Sequence, residues 1–361
     1  MKRRLGVSIY PDHSDFKTDV NYLRRAASYG FERVFMSMLE VEGGREKTFH
    51  KFYDIIQKAR ELGFEVMLDI APNIFDDLGI SYQDLSFFSE LGADGLRLDV
   101  GFNGSREALL SYNPYGLIIE LNMSNDVAYL ENILSYEANK PFIYGCHNFY
   151  PQKGSALPLD FFNSCSKRFK NQGIRTAAFV TSQSGKMGPW EVTDGLPTLE
   201  MHRYLPIDIQ TKHLFATGLI DDVIIGNAYA TDEELKKMSE VNKYQLIFNV
   251  ELLEDTQELE KEILFDNQHF RRGDITDLVI RSTNVRVKYK ELNREHDNGE
   301  EFVLGDILIG NKLFGQYNNE LQIALLDHSD ERKNKVGRIK LQEQFLLDYV
   351  KPWSKFKFEY E

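Results

Sequence analysis

The stretch GLRLDVGF at 95–102 places an arginine and an aspartate, Arg97 and Asp99, two residues apart in an otherwise apolar run. Side chains alternate along a strand, so both fall on one face. A charge buried at mid-strand is costly unless paired. Such a face is therefore expected to look into a polar pocket, although a structural ion pair fits the same two residues. Polar residues close other apolar runs in the same way: Ser8 and Tyr10, Ser37 with Glu40 just beyond, Asp69, Glu120 and Asn122, His147 and Asn148, and Asn227. Five carboxylates, Asp69, Asp99, Glu40, Glu120 and Glu191, are eligible for glycoside hydrolysis. In that chemistry one carboxylic acid protonates the leaving oxygen and a second carboxylate acts as nucleophile or base. Residue types alone do not choose among the five.

The segment TSQSGKMGP (181–189) offers hydroxyls, two glycines and Lys186, a composition suited to holding a phosphate on backbone N–H groups with a lysine nearby. A plain surface loop fits it as well. His147 beside Asn148 reads either as a substrate contact or as a hydrogen-bonded core histidine. No HxH or HExxH pattern occurs, so a metal has no support, and the absence of GxGxxG and Walker-type loops leaves nucleotide binding without support. Cys146 and Cys165 are the only cysteines, too few for a disulfide framework. No cofactor is expected.

These residues need a scaffold, and the sequence supplies a regular one. Short aliphatic runs at 4–10, 33–39, 65–71, 95–100, 116–122, 142–148, 175–181 and 221–227 alternate with longer amphipathic segments. Several of those segments end in glycine where a helix C-cap wants it, at Gly30, Gly63, Gly92, Gly173 and Gly218. Eight strands, each tending to be followed by a helix, predict an α/β fold, a (β/α)8 TIM barrel over residues 1–240. The weakest link is NGSREALLSYNP (103–114), which leaves little room for a helix. In such barrels the active site lies at the carboxyl ends of the strands, and phosphate often binds after strands 7 and 8, where TSQSGKMGP falls. From about 245 the texture changes to alternating runs, DLVIRST, NVRVKYK, DILIG and LQIALL, separated by turn residues. This predicts a second, mostly antiparallel β domain over 245–361.

A formal net charge of −13 on 361 residues argues against nonspecific binding to nucleic acid or anionic membrane. The apolar run in MKRRLGVSIYPDHS is stopped by Pro11 and Asp12 before it reaches the length of a signal-peptide core, and no run approaches a membrane span. The expectation is a cytoplasmic protein acting on a small molecule. A barrel lyase, aldolase or epimerase on sugar phosphates is the alternative. It would need a metal or a Schiff-base lysine, and none of the eight strands ends in lysine.

Six motifs in order, LGVSIYP, MLDIAP, LGADGLRLDVGF, HNFYP, GLPTLEMHR and DDVIIGNAYA, resemble a bacterial family associated with 6-phospho-N-acetylmuramidase activity, and the C-terminal part resembles the small cyclophilin-like β-barrel those proteins carry. The resemblance implies a cytoplasmic glycosidase that cleaves the β-1,4 bond between 6-phospho-N-acetylmuramic acid and N-acetylglucosamine during cell-wall recycling. On the matching positions it implies Asp69 and Asp99 as leading carboxylates, with Glu191 third and Asp194 its competitor. Arg97, His147, Asn148 and Lys186 would meet the phosphate, lactyl carboxylate and N-acetyl groups. Tyr10, Glu40, Glu120, Asn122 and Asn227 would line the rest of the cleft. The cyclophilin-like resemblance does not carry prolyl isomerase activity with it. Roles open to that domain are closing one side of the cleft, with the basic spot HFRRGDITD (269–277) near the substrate, or pairing two copies as a homodimer.

Overall fold

We describe a computed structural model, which places residues 1–39, 44–71, 74–75, 78–81, 83–296 and 301–360. Glu40 lies outside the described residues. The chain divides into two compact units, Met1–Lys243 and Tyr244–Glu361.

The first unit is a closed barrel of eight parallel strands in sequence order: β1 Arg4–Ile9, β2 Arg33–Met38, β3 Glu65–Ile70, β4 Gly95–Leu98, β5 Ile118–Asn122, β6 Ile143–Cys146, β7 Arg175–Val180 and β8 Asp222–Ile225. Strand alternation sorts the apolar residues into two separate clusters. Val34, Met36, Val66, Leu68, Leu96, Leu98, Ile119 and Leu121 pack outward with helix residues such as Phe52, Ile56, Phe88 and Leu91. Phe35, Cys146, Ala177, Phe179 and Ile224 form a smaller cluster inside the barrel. The glycines expected at helix C-termini, Gly30, Gly63, Gly92, Gly173 and Gly218, all have positive φ. Asp15 caps Phe16–Ser28 by accepting from Thr18 N (3.0 Å), and Gly92 closes Ser86–Leu91 with φ 91°. The doubtful β4–β5 connection does hold a helix, of six residues, Ser105–Leu110.

The inward parity of the barrel floor is charged. Arg33, fully buried, donates to Glu120 and to Asp222 (2.9 Å). Arg4 also donates to Asp222 (2.7 Å) and, through both terminal nitrogens, to Glu65 (2.9 Å). Arg175 donates to Asp222 as well. Spreading three arginines over three carboxylates, with Asp222 common to all three, offsets the desolvation that isolated buried charges would suffer.

The second unit is a seven-stranded mixed sheet curled into a nearly closed barrel. Its strands are β9 Leu246–Leu252, β10 His269–Phe270, β11 Val279–Ser282, β12 Asp306–Gly310, β13 Leu321–Ala324, β14 Lys333–Ile339 and β15 Lys355–Tyr360, in the order β10-β15-β9-β14-β12-β13-β11. A bond from Arg272 N to Arg281 O (3.0 Å) ties its two edges. Every pairing is antiparallel except β15 on β9, where the last strand returns beside the first. DLVIRST, DILIG and LQIALL form β11, β12 and β13. NVRVKYK does not form a strand: it is one helical turn, Val285–Lys288, with Val285 buried and Val287 66% exposed. Its alternation matched no two-sided burial.

Candidate active site at the barrel mouth

β2, β3, β4 and β5 are aligned so that Ser37 pairs with Asp69, Asp69 with Arg97, and Arg97 with Glu120. The sequence therefore lays a hydroxyl, a carboxylate, a guanidinium and a second carboxylate side by side on the inner wall. Arg97 is buried, and its Nη1 donates to Asp69 and, at 3.3 Å, to Asp99. Its Nη2 donates to the side-chain oxygen of Asn148. Asn148 is itself fixed at both ends of its peptide, its N–H to Ser124 Oγ (2.7 Å) and its carbonyl to Thr198 Oγ1 (2.8 Å). Asn122 completes the frame by donating to the Asp99 carbonyl (3.1 Å) while accepting from Ser124 N (2.9 Å). Five of the sequence candidates, Asp69, Arg97, Asp99, Asn122 and Asn148, thus meet at one place.

The two carboxylates differ in environment. Burial pushes the Asp69 carboxyl up to about 6, against the opposing pull of the Arg97 guanidinium. The Asp99 side chain is 39% exposed and faces the same guanidinium. A buried carboxyl with a raised pKa beside a solvent-facing carboxylate is the kind of pairing that acid–base chemistry at a glycosidic oxygen uses.

Other candidates sit elsewhere. Glu120 is fully buried on the Arg33 ion pair and belongs to the barrel floor. His147 has the opposite strand parity to Asn148 and points away from the mouth. Its ring lies on Phe162 (4.6 Å between centroids) and bonds Ser124 Oγ (3.2 Å) and Ser166 Oγ (2.8 Å), and burial holds its pKa down to about 3. It is the core histidine of the two readings. The Tyr10 hydroxyl donates to the Gly226 carbonyl, closing β1 against β8. Asn227 spends its amide on the 181–185 segment, accepting from Ser182 N (2.8 Å) and donating to Ser182 O and Gly185 O (2.8 Å each).

That segment does not form an open anion cradle. Glu234, at the start of helix Asp232–Glu240, accepts from Gln183 N (2.7 Å) and Ser182 Oγ (2.8 Å), and Gly185 N turns inward to Ser182 Oγ (2.8 Å). The N–H groups expected to hold phosphate are occupied by the protein's own oxygens. Lys186 remains exposed beyond them, in the wall of a cleft of about 890 Å3 that it shares with His13, Trp190, Glu191 and Tyr229. Asp194 is engaged elsewhere, accepting from Lys153 N (3.0 Å). Trp190, His13 and Tyr229 escaped the sequence reading. The legible signal was a lone tryptophan in a glycine- and proline-rich loop beside Glu191. Among the described residues no group of three His, Cys, Asp or Glu side chains is placed to hold a metal ion, and no helix is long and apolar enough to cross a membrane.

Comparison with known proteins extends this picture over the whole chain. No curated protein matches it. A crystal structure of an uncharacterized B. cereus protein shares 52% identity at a TM-score of 0.93, covering 99% of this chain and 100% of that one. A conserved Enterococcus faecalis protein of unknown function shares 25% identity at a TM-score of 0.71, covering 99% and 96%. The family model of the N-terminal domain of 6-phospho-N-acetylmuramidase matches residues 5–240, and that of its C-terminal domain matches residues 246–359. With both domain models matched in order, the chain belongs to the 6-phospho-N-acetylmuramidase family and is a glycosidase.

Proposed function

We propose that the barrel is the catalytic domain and that it hydrolyses the β-1,4 bond between 6-phospho-N-acetylmuramic acid and N-acetylglucosamine, in the cytoplasm, on recovered cell-wall fragments. The observation that carries the residue assignment is the single guanidinium nitrogen of Arg97 that serves both Asp69 and Asp99. Asp69 is the general acid: its proton passes to the glycosidic oxygen as the C1–O bond breaks, and N-acetylglucosamine leaves as the free alcohol. Asp99 is the ionised partner that meets the positive charge growing at C1, either bonding to that carbon or taking the proton of the water that does. In the first case water then displaces Asp99 from C1 and gives its proton to Asp69. In the second, the proton taken by Asp99 is exchanged with solvent and Asp69 is reprotonated. Either way the water's hydroxyl ends on C1 and both carboxyl groups return to their starting states. Arg97 and Asn148 hold the two carboxylates apart in function, and Asn122 holds the Asp99 backbone. No step needs a cofactor. Lys186 and Glu191 lie in the cleft beyond, as the contacts for the sugar's substituents.

The test is product formation from the 6-phosphorylated disaccharide, run beside the unphosphorylated disaccharide and beside Asp99→Asn enzyme. The reading requires cleavage of the phosphorylated form, loss of turnover on the order of 10³-fold in the variant, and a melting temperature close to wild type because Asp99 is partly exposed. Turnover retained in Asp99→Asn would remove that residue from the chemistry.

A further inference from the structure

Trp190 is 51% exposed, yet it is not an isolated surface residue. Its ring leans on Phe149 (centroids 6.1 Å apart), which meets Phe179 edge-on (5.0 Å) and Phe35 (5.9 Å), both inside the barrel. An aromatic column therefore rises from the barrel interior and ends in an indole at the surface. That indole borders two spaces at once. One is the 890 Å3 cleft with Lys186 and His13. The other is a small cavity lined by Tyr10 and Ser37, and Ser37 is the register partner of Asp69. On its other flank, Phe149 follows Asn148, the residue bonded to Arg97. Trp190 thus borders both the cleft that holds the exposed Lys186 and the small cavity beside Ser37, the register partner of Asp69.

The backbone on either side of the indole is held. Met187 and Ala228 exchange N–H···O bonds (2.7 and 2.9 Å) before it. After it, Asp194 N bonds Pro151 O (2.9 Å) and Leu196 N bonds Thr181 Oγ1 (2.9 Å). A large aromatic kept half in water on a fixed backbone, in a concave site with a few polar groups, matches the needs of a ligand that is itself flat, polar at its rim and apolar on its C–H face. A pyranose ring has that character.

We infer that Trp190 is the stacking platform for the pyranose ring of the substrate, and that the cleft beyond it, through Lys186, takes an anionic substituent of the same sugar. This rests on the glycosidase reading for the identity of the sugar, not for the existence of the site. The anion is a phosphate or a carboxylate, which one lysine ammonium receives equally well as a point charge.

The chain has two tryptophans, Trp190 and Trp353. Trp353→Phe enzyme therefore reports Trp190 alone by fluorescence. It is titrated with N-acetylglucosamine 6-phosphate, which carries phosphate only, with N-acetylmuramic acid, which carries carboxylate only, and with N-acetylglucosamine, which carries neither. The expected result is a saturable change in Trp190 emission with at least one anionic sugar, at a Kd at least tenfold lower than for N-acetylglucosamine. Lys186→Met in the same background should erase that tenfold advantage, and the anionic sugar that loses it identifies the group. Trp190→Ala should raise KM for the phosphorylated disaccharide more than tenfold, with Trp190→Phe restoring most of the loss. Turnover of the disaccharide with no emission change at saturation by any sugar, or an anion preference unchanged in Lys186→Met, overturns the inference. An emission change in an enzyme that cleaves neither disaccharide would leave the sugar site standing and remove the proposed reaction instead.

Discussion

Asp69 and Arg97 are register partners on β3 and β4, and the Arg97 guanidinium donates to the Asp69 carboxylate inside the barrel wall. Neighbouring parallel strands bring the two side chains together without any loop to position them. That accounts for the arginine in GLRLDVGF: it is the fixed cation against which two carboxylates of different exposure are set. The structural and functional readings of the pair are one arrangement, since the bonds that fix Arg97 also fix Asp69 and Asp99.

The pH profile follows from that arrangement. Asp69 is raised to about 6 by burial, and Arg97 opposes the rise. As the proposed acid, it must be protonated, so kcat should fall about tenfold per pH unit above roughly 6. Arg97→Gln removes the opposing pull, so the alkaline limb should move to higher pH while the plateau drops. Arg97→Lys keeps the charge and should leave the limb near its wild-type position. Stopped assays on the phosphorylated disaccharide from pH 4.5 to 8.5 check this. A limb that stays in place in Arg97→Gln would show that Asp69 is not the group titrating.

Arg33 should matter for stability and not for substrate. It is wholly buried and bonds both Glu120 and Asp222. Arg33→Met leaves the buried Glu120 without its cation, while Asp222 keeps Arg4 and Arg175, a change expected to cost about 3–5 kcal/mol. Chemical denaturation of the two proteins measures the loss. KM of the enzyme that remains folded should stay within about twofold, because the pair lies on the barrel floor.

The barrel was legible because its alternation is redundant: each strand carries its own outward stripe, and eight of them agree. Arg97, Asp69 and Asp99 were legible because a charge at an apolar strand end has few uses. Glu120 has the same strand parity as Arg97 and looked equivalent to it. What separates them is depth in a sheared barrel, and the Arg33 that claims Glu120 comes from β2, 87 positions away in sequence. His147 misled for a related reason. One residue of parity turns its ring outward to Phe162 while Asn148 faces in. The glycine- and serine-rich 181–189 segment looked like a phosphate cradle, and only the fold brings Glu234 into it. Long-range partners of this kind leave no mark in local sequence.

Glu234 therefore supplies its own test. Its carboxylate accepts from Ser182 Oγ and Gln183 N, and it also closes the capping box with Thr231. Glu234→Ala should cost about 1–2 kcal/mol from the lost cap. It should also release the Gln183 amide, which hydrogen exchange will report as faster opening, and raise KM several-fold through the displaced Lys186 wall. Unchanged exchange at Gln183 would mean that Asn227 alone holds the segment.

Acid stability should be dominated by histidines that the fold keeps neutral. Burial lowers His147 to about 3, and lowers His213 and His269 to about 4. Below the ordinary histidine pKa of about 6.5 the unfolded chain takes up protons that the folded chain refuses. Stability therefore falls as pH drops, by about 1.4 kcal/mol per pH unit for each such histidine well below 6.5. Asp69 works in the opposite direction. Its folded pKa near 6 lies above the unfolded value, so between about 4 and 6 the folded state holds the extra proton and gains stability as pH falls. Replacing His147 by Asn removes one unit from the acid slope, and replacing Asp69 by Asn removes the opposing unit. Unfolding free energies between pH 7 and 4.5 should accordingly show a shallower slope in His147→Asn and a steeper one in Asp69→Asn. Equal slopes in all three proteins would place the acid-sensitive protonation elsewhere in the chain.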